Sequence, residues 1–265
     1  SWGAFLPEAR GAIFCIVGVL VTKQLYRWGQ QSERWLLIVR GATENPTPRR
    51  DRDRMAWIPY NPPMALPKLG ILISGTGSNM KSIVAACEGG EVPAEIAVVI
   101  SNRADAPGIE WAREHGLETA VMPHGDFKHR EDHDRAIVER LRTGRVDWVC
   151  LAGYMRLLSA VFVDAFPNRI LNIHPALLPA FPGLHGQRQA WNYGVKVSGC
   201  TVHLVDLELD HGPIVVQRSV PVLPDDDEDR LSARILVEEH KAYPEALREL
   251  LTKSWRLDDR RVIFG

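Results

Sequence analysis

The chain has no closely spaced cysteine pair. Its four cysteines, Cys15, Cys87, Cys150 and Cys200, are scattered through 265 residues, so neither a zinc ribbon nor a Cys-x-x-Cys redox motif can be assembled from sequence neighbours. They read as single reduced thiols, mostly buried, in a cytoplasmic protein. Long apolar runs are equally scarce. The longest, GAIFCIVGVLVT at residues 11–22, falls short of the roughly 20 residues needed to cross a bilayer, and no clean small-x-small cleavage site follows it. Nor does either sign of charge dominate. Against 33 Asp and Glu stand 32 Lys and Arg, for a formal net charge of -1, which offers no field for a nucleic-acid backbone. The expectation is a protein without membrane, export or nucleic-acid roles, in which any anionic ligand is held by a local site.

What is present is an ordinary globular composition, 45% hydrophobic and 25% charged, in a chain long enough for one sizeable α/β domain with an appendage or for two small domains. The text changes near residue 64. Before it lie four of the eight tryptophans, the apolar run, and ENPTPRRDRDR, which resembles a linker. Residues 1–63 are therefore read as an amino-terminal extension, expected to be poorly ordered or loosely docked. Residues 64–265 are read as the working domain, with Met64 as an initiator-like residue just before its first strand.

From Lys68 onward, short β-branched runs alternate with amphipathic stretches: KLGILIS, NMKSIVAACEGG, AEIAVVISN, APGIEWAREHG, ETAVMP, REDHDRAIVERLRTG, VDWVCLAGY, SAVFVDAFPN and RILNIHP. That rhythm predicts βαβ units, hence a doubly wound, mostly parallel sheet with helices on both faces. Helix ends are expected at Gly90, Gly116 and Gly144. GCTVHLVD, PIVVQRSVPV and a helix from about Asp229 to Leu251 complete the domain. The acidic run DDDED at 225–229 reads as the approach to that helix.

Three segments carry chemistry. The first strand runs into SGTGSNM, Ser74 to Met80, where glycines at a helix start let backbone N–H groups approach a phosphate. Met80 occupies the third glycine position of a dinucleotide fingerprint, and SNR, Ser101 to Arg103, stands where a ribose-binding acid belongs, so a nicotinamide cofactor is disfavoured and the Walker pattern fails too. Taken alone, the loop reads equally well as a tight turn without ligand. In LNIHPALLPAFPGLH, residues 171–185, Asn172 and His174 lie two apart and so share one face of a strand. An amide N–H beside an imidazole can hold an oxyanion and exchange a proton, and the prolines that follow limit backbone freedom. A lone histidine hydrogen-bonded in the core is the competing reading. In ELDHGPIVVQ, Asp210 ends a strand-like run before a turn; its carboxylate would favour the imidazolium and orient the ring if it reached His174, and would be a surface turn residue if not. His129 and His133, four apart, read as a solvated charged face rather than a metal site.

Together ILISGTGSNM, SNRADAPGIEWA, LAGYMRLLS, LNIHPALLPAFPGLH, GCTVHLVD, LDHGPIVVQ and EEHKAYPEAL resemble the folate-dependent phosphoribosylglycinamide formyltransferases over about residues 68–252. The resemblance implies the formyltransferase fold, with a Rossmann-like first half. It also implies a formyl group passed from 10-formyltetrahydrofolate, as co-substrate and without a metal, to the amine of glycinamide ribonucleotide. On this chain it makes Asn172, His174 and Asp210 catalytic, and assigns Gly77, Ser78, Asn79 and Glu239 to the ribonucleotide. It places Arg130, Met155, Arg156, Leu157 and Leu158, with Asn172, on the folate side, and gives His185 a supporting place. It implies a cytoplasmic monomer or homodimer.

Its nearest rivals share formyl-folate chemistry. The 10-formyltetrahydrofolate deformylase usually carries a paired βαβ regulatory domain in front, an alternation residues 1–63 lack. Methionyl-tRNA formyltransferase has a different arginine-glycine pattern after its histidine and a further carboxyl-terminal domain, which is not expected in a chain that stops at Gly265. A non-catalytic binding module on the same fold is the answer from another class.

Overall fold

Leu69, Ile71 and Ile73 of strand β1 (Lys68–Ile73) enter one buried apolar cluster and Leu72 enters another, because successive strand residues point to opposite faces. The computed structural model describes Ile58 and residues 65–265, within a compact unit that begins at Met55. Ile58 exchanges two backbone hydrogen bonds with Trp255. The remaining expectations for residues 1–63 lie outside the described residues.

After β1 come α1 (Ser78–Glu88), β2 (Glu95–Ser101), α2 (Pro107–Glu114), β3 (Thr119–Val121), α3 (Arg130–Thr143), β4 (Trp148–Leu151), α4 (Ala160–Ala165) and β5 (Ile170–His174). The chain continues through α5 (Gly186–Tyr193), β6 (Val197–Leu204), β7 (Ile214–Pro221), α6 (Glu228–Thr252), β8 (Trp255–Asp258) and β9 (Arg261–Phe264). One nine-stranded sheet results, in the order β3-β2-β1-β4-β5-β6-β7-β9-β8. Strands β3 to β5 in that order pair parallel throughout, while β6 is antiparallel to β5 and β7 to β6. The chain moves outward from β1 through β2 to β3, then returns to the other side of β1 as β4. The reversal makes the carboxyl ends of β1 and β4 the switch point of the sheet, the place where such sheets bind ligands.

Helices cover both faces, as the alternation predicts. Met80, Ile83 and Val84 of α1, Ile109 of α2, and Leu231, Ile235, Tyr243 and Leu247 of α6 fill one side. Ile137, Val138 and Leu141 of α3 and Phe162 of α4 fill the other. Gly70 lets α3 come close on that second side, for a Cβ there would stand 2.4 Å from Leu141 Cδ2.

Helix α6 starts where the acidic run predicts it. The Asp227 side chain accepts the Arg230 N–H at 2.8 Å, and Glu228 and Asp229 occupy the first turn, complementing its dipole. Gly90 and Gly116 adopt left-handed backbone with φ of 73° and 71°, as helix-ending glycines do. Gly144 departs from that expectation: it stays right-handed, and Arg145 takes the left-handed position with φ 54°. Helix α5 and the closing β8–β9 hairpin have no counterpart in the sequence reading.

Candidate active site

Strand register brings Asn172 and His174 to their neighbours. On β5, Asn172 lies opposite His203 of β6, and His174 lies opposite Thr201. His203 Nδ1 is 2.9 Å from the Leu204 carbonyl oxygen and its Nε2 is 3.2 Å from Asn172 Nδ2. A neutral imidazole carries one hydrogen, so Nδ1–H donates to Leu204 and Nε2 accepts one amide hydrogen of Asn172. Burial pushes the His203 imidazole below its ordinary value, against the pull of Asp210, and keeps the ring in that neutral form. The second amide hydrogen of Asn172 stays available for another acceptor.

His174 is 3% exposed. Its Nδ1 lies 3.3 Å from Asp210 Oδ2 and its Nε2 lies 2.8 Å from the Phe181 carbonyl oxygen. Both ring nitrogens thus face acceptors, an arrangement fully satisfied only when the ring carries two hydrogens. The loop that supplies Phe181 is held from the sheet: Thr201 Oγ1 donates to the Ala176 carbonyl at 2.7 Å and accepts the Leu178 N–H at 3.0 Å, and Gln217 Nε2 donates to the Leu178 carbonyl. The proline-rich segment owes its shape to these bonds as well as to its prolines.

Asp210 does not end a strand, contrary to the sequence reading. β6 stops at Leu204, and Asp210 sits in the turn before β7 with φ 50°. Two features fix it there. Its Oδ2 accepts the Gly183 N–H at 2.7 Å, and Gly212 lets the chain fold back so closely that a Cβ would stand 1.8 Å from the Leu204 carbonyl oxygen.

At the end of β1, Gly77 precedes α1 with φ 68°, a conformation that favours glycine. A Cβ there would meet Met80 Cε at 2.9 Å and Gly108 Cα at 3.3 Å. The first N–H groups of α1, at Ser78 and Asn79, point along the helix axis away from its body and can serve an anion. Asn79 is buried; its Nδ2 donates to Glu239 Oε2 at 2.7 Å, so the loop and α6 meet at these two side chains. Ser74 joins three strand ends: its hydroxyl donates to Asn102 Oδ1 at 2.6 Å and accepts the Met155 N–H at 2.9 Å. The segment SNR, which lacks a ribose-binding acid, thus contributes a structural amide.

The profile described as "Formyl transferase" matches residues 67–247. The chain belongs to the formyl transferase family. The phosphoribosylglycinamide formyltransferase of Escherichia coli is 43% identical over 190 residues, which is 72% of this chain and 87% of that protein. The trifunctional purine biosynthetic protein adenosine-3 of Drosophila melanogaster is 47% identical over 186 residues, 69% of this chain. The chain spans only 14% of the length of that larger relative. Among solved structures, glycinamide ribonucleotide transformylase 1 of Symbiobacterium toebii superposes with a TM-score of 0.74 at 51% identity, covering 75% of this chain and 94% of that one.

The other sequence-assigned residues lie along the same carboxyl edge of the sheet and beyond it. Met155, Arg156, Leu157 and Leu158 form the loop after β4, with Met155 67% and Leu157 54% exposed. Arg130 opens α3, half-exposed and 3.7 Å from Glu131. His185 is exposed just before α5. The solvated-face reading of His129 and His133 holds only for His129. His133 is buried, with Nε2 2.9 Å from the Met122 carbonyl oxygen, and burial pushes its imidazole down. No group of three or more His, Cys, Asp or Glu placed to hold a metal exists among the described residues, and no helix among them is long and apolar enough to cross a membrane. A cavity of about 660 Å³ lies at the opposite, amino-terminal ends of the strands, between Lys68, Trp148, Arg169 and Trp255, away from His174.

His203 had no role in the sequence reading. Its signal was the alternation TVHLV, which places it on one face of a strand but does not name the strand beside it.

Burial pushes the Glu239 carboxyl above its ordinary value, opposed by the Asn79 hydrogen bond. The folded protein therefore holds this proton more tightly than the unfolded chain. The associated stability is complete below the ordinary value of 4.5 and is lost as pH rises through the elevated one. Glu239→Gln is expected to flatten this slope: across about pH 4 to 8, urea midpoints of the variant should fall less with rising pH than those of the parent. Parallel curves would mean that Glu239 ionises alike in both states.

Proposed function

We propose that residues 64–265 form the catalytic domain and transfer a formyl group from 10-formyltetrahydrofolate to the amine of glycinamide ribonucleotide, yielding formylglycinamide ribonucleotide and tetrahydrofolate. The observation that carries this reading is the 3.3 Å approach of Asp210 Oδ2 to His174 Nδ1 beside Asn172, at the same sheet edge as the Gly77 turn. The amine nitrogen bonds to the formyl carbon, whose oxygen takes up negative charge. The Asn172 amide and the His174 Nε2–H supply donors to that oxygen. The bond from the formyl carbon to the folate nitrogen then breaks, and the proton lost by the amine passes to that nitrogen with His174 as the shuttle. Asp210 holds the imidazole in orientation through Nδ1.

The His174 donor is engaged with Phe181 in this structure, so it must exchange the Phe181 carbonyl for the substrate oxygen during turnover. On the reactant side, Gly77, Ser78 and Asn79 hold the ribonucleotide phosphate and Glu239 faces its sugar or glycinamide group. Arg130, Met155, Arg156, Leu157 and Leu158 flank the folate, whose flat ring suits exposed apolar side chains and backbone polar groups. No metal takes part. The protein works in the cytoplasm as a monomer or homodimer.

The test mixes the protein with 10-formyltetrahydrofolate, with and without glycinamide ribonucleotide, and follows tetrahydrofolate. Release that depends on the amine, with formylated ribonucleotide in equal amount, is the expected result. Equal release without the amine would make the protein a deformylase, and tight binding of both ligands without turnover would make it a binding module.

A further inference from the structure

The closing hairpin lies beyond residues 67–247 matched to the family. Asp258 of β8 pairs with Arg261 of β9, leaving Asp259 and Arg260 as a two-residue turn with Asp259 at φ 58°. Arg261 is also in register with Ile214, the first residue of β7. The turn is thereby set beside the loop at 205–213, which carries Asp210.

From this turn the Arg260 guanidinium reaches His211, the residue after Asp210. Nη2 donates to the His211 carbonyl oxygen, and Nη1 lies 2.6 Å from His211 Nε2 and 2.8 Å from Nδ1. Asp206 Oδ2 is 3.0 Å from His211 Nδ1. With Nδ1–H donating to Asp206, Nε2 is the ring nitrogen that can accept from Arg260, and the approach of Nη1 to Nδ1 is not a hydrogen bond. The loop is therefore held at two successive residues, by the Gly183 N–H on the Asp210 carboxylate and by Arg260 on the His211 backbone and ring. The first of them, Asp210, has left-handed backbone, a conformation that non-glycine residues hold only when neighbours enforce it.

We propose that Arg260 is a positioning residue for formyl transfer, clamping His211 so that the turn at Asp210 keeps its carboxylate aimed at His174. The inference rests on the reading of Asp210 as the partner of His174. Arg260 makes no part of the hairpin's own pairing, which Arg261 and Asp258 maintain, so its replacement leaves β8 and β9 in place.

The experiment compares the full chain with Arg260→Ala and Arg260→Lys. Hydrogen exchange at the Gly183 amide, measured without substrates, is expected to quicken about tenfold in Arg260→Ala, as the loss of a charge-assisted hydrogen bond implies. Exchange at Ile71 of β1 should not change, and Arg260→Lys should recover much of the protection. In turnover, kcat should fall by a similar factor in Arg260→Ala while KM for glycinamide ribonucleotide stays put. Unchanged Gly183 exchange, or protection lost equally at Ile71, would overturn the inference whatever the wild-type rate. Absence of formyl transfer in the wild-type chain would instead remove the functional reading, and the Gly183 result would still stand by itself.

Discussion

Replacing His174 with alanine is expected to lower kcat by about a hundredfold to ten-thousandfold, the usual contribution of a placed acid/base group. The geometry says why one side chain should matter this much. His174 is the meeting point of the Asp210 carboxylate and the Phe181 carbonyl, and its Nε2–H is the donor that would pass to the developing oxyanion. Folding should survive with a modest penalty. The substitution empties a buried site and leaves the Phe181 carbonyl without its donor, a cost of about 1–3 kcal/mol, which a urea titration reads directly. Binding of glycinamide ribonucleotide should persist, because Gly77, Ser78 and Asn79 belong to a different strand end. Single-turnover rates close to those of the parent would remove His174 from the mechanism.

Asp210→Asn should produce a loss in the same range of about a hundredfold to ten-thousandfold, for a reason the contact atoms make specific. A single oxygen, Oδ2, serves both the Gly183 N–H and His174 Nδ1. An asparagine can place its amide oxygen at that point and keep both contacts, so the variant deletes charge while sparing geometry. The contact at Nδ1 then loses its charge assistance, so the ring is held less firmly in the orientation that aims its Nε2–H. Combining the substitution with His174→Ala should add little to either alone, since the two side chains act as a unit. Fully multiplicative losses in a pre-steady-state comparison would show that Asp210 acts elsewhere. Retention of wild-type kcat in the single variant would leave its carboxylate without a catalytic purpose.

Much of this arrangement is legible in the sequence because its causes are local. The two-residue period of KLGILI and RILNIH follows from strand sterics alone, and it puts Asn172 and His174 on one face before any partner is known. SGTGSNM signals a tight strand-to-helix turn because glycine tolerates the backbone that Gly77 adopts. The DDDED run signals a helix start because its third aspartate, Asp227, can cap. The hairpin could have been found in the same way. The alternating WRLD and the apolar run of RVIF flank Asp259 and Arg260, a two-residue connection with an aspartate at the left-handed position.

Other features depend on neighbours far along the chain. Gly144 looks like a left-handed helix terminator, yet Arg145 adopts that conformation instead, and its own spelling contains nothing to decide between them. His133 has the polar neighbours of a surface helix, but α3 turns it inward onto the Met122 carbonyl. Asp210 reads as the end of a strand, and only the close fold of Gly212 against Leu204 shows it to be part of a turn.

The amino-acid order by itself determined the alternation of strand and helix, the tight glycine turn after the first strand and the pairing of an amide with an imidazole on one strand face, since each arises from forces acting over a few residues. Tertiary structure alone decided that Asp210 meets His174, that His203 stands behind Asn172 and that Arg260 reaches His211. Those contacts require β6 to lie antiparallel beside β5, and β9 beside β7. Strand order and register are set by how the whole core packs, so no short window of sequence contains them.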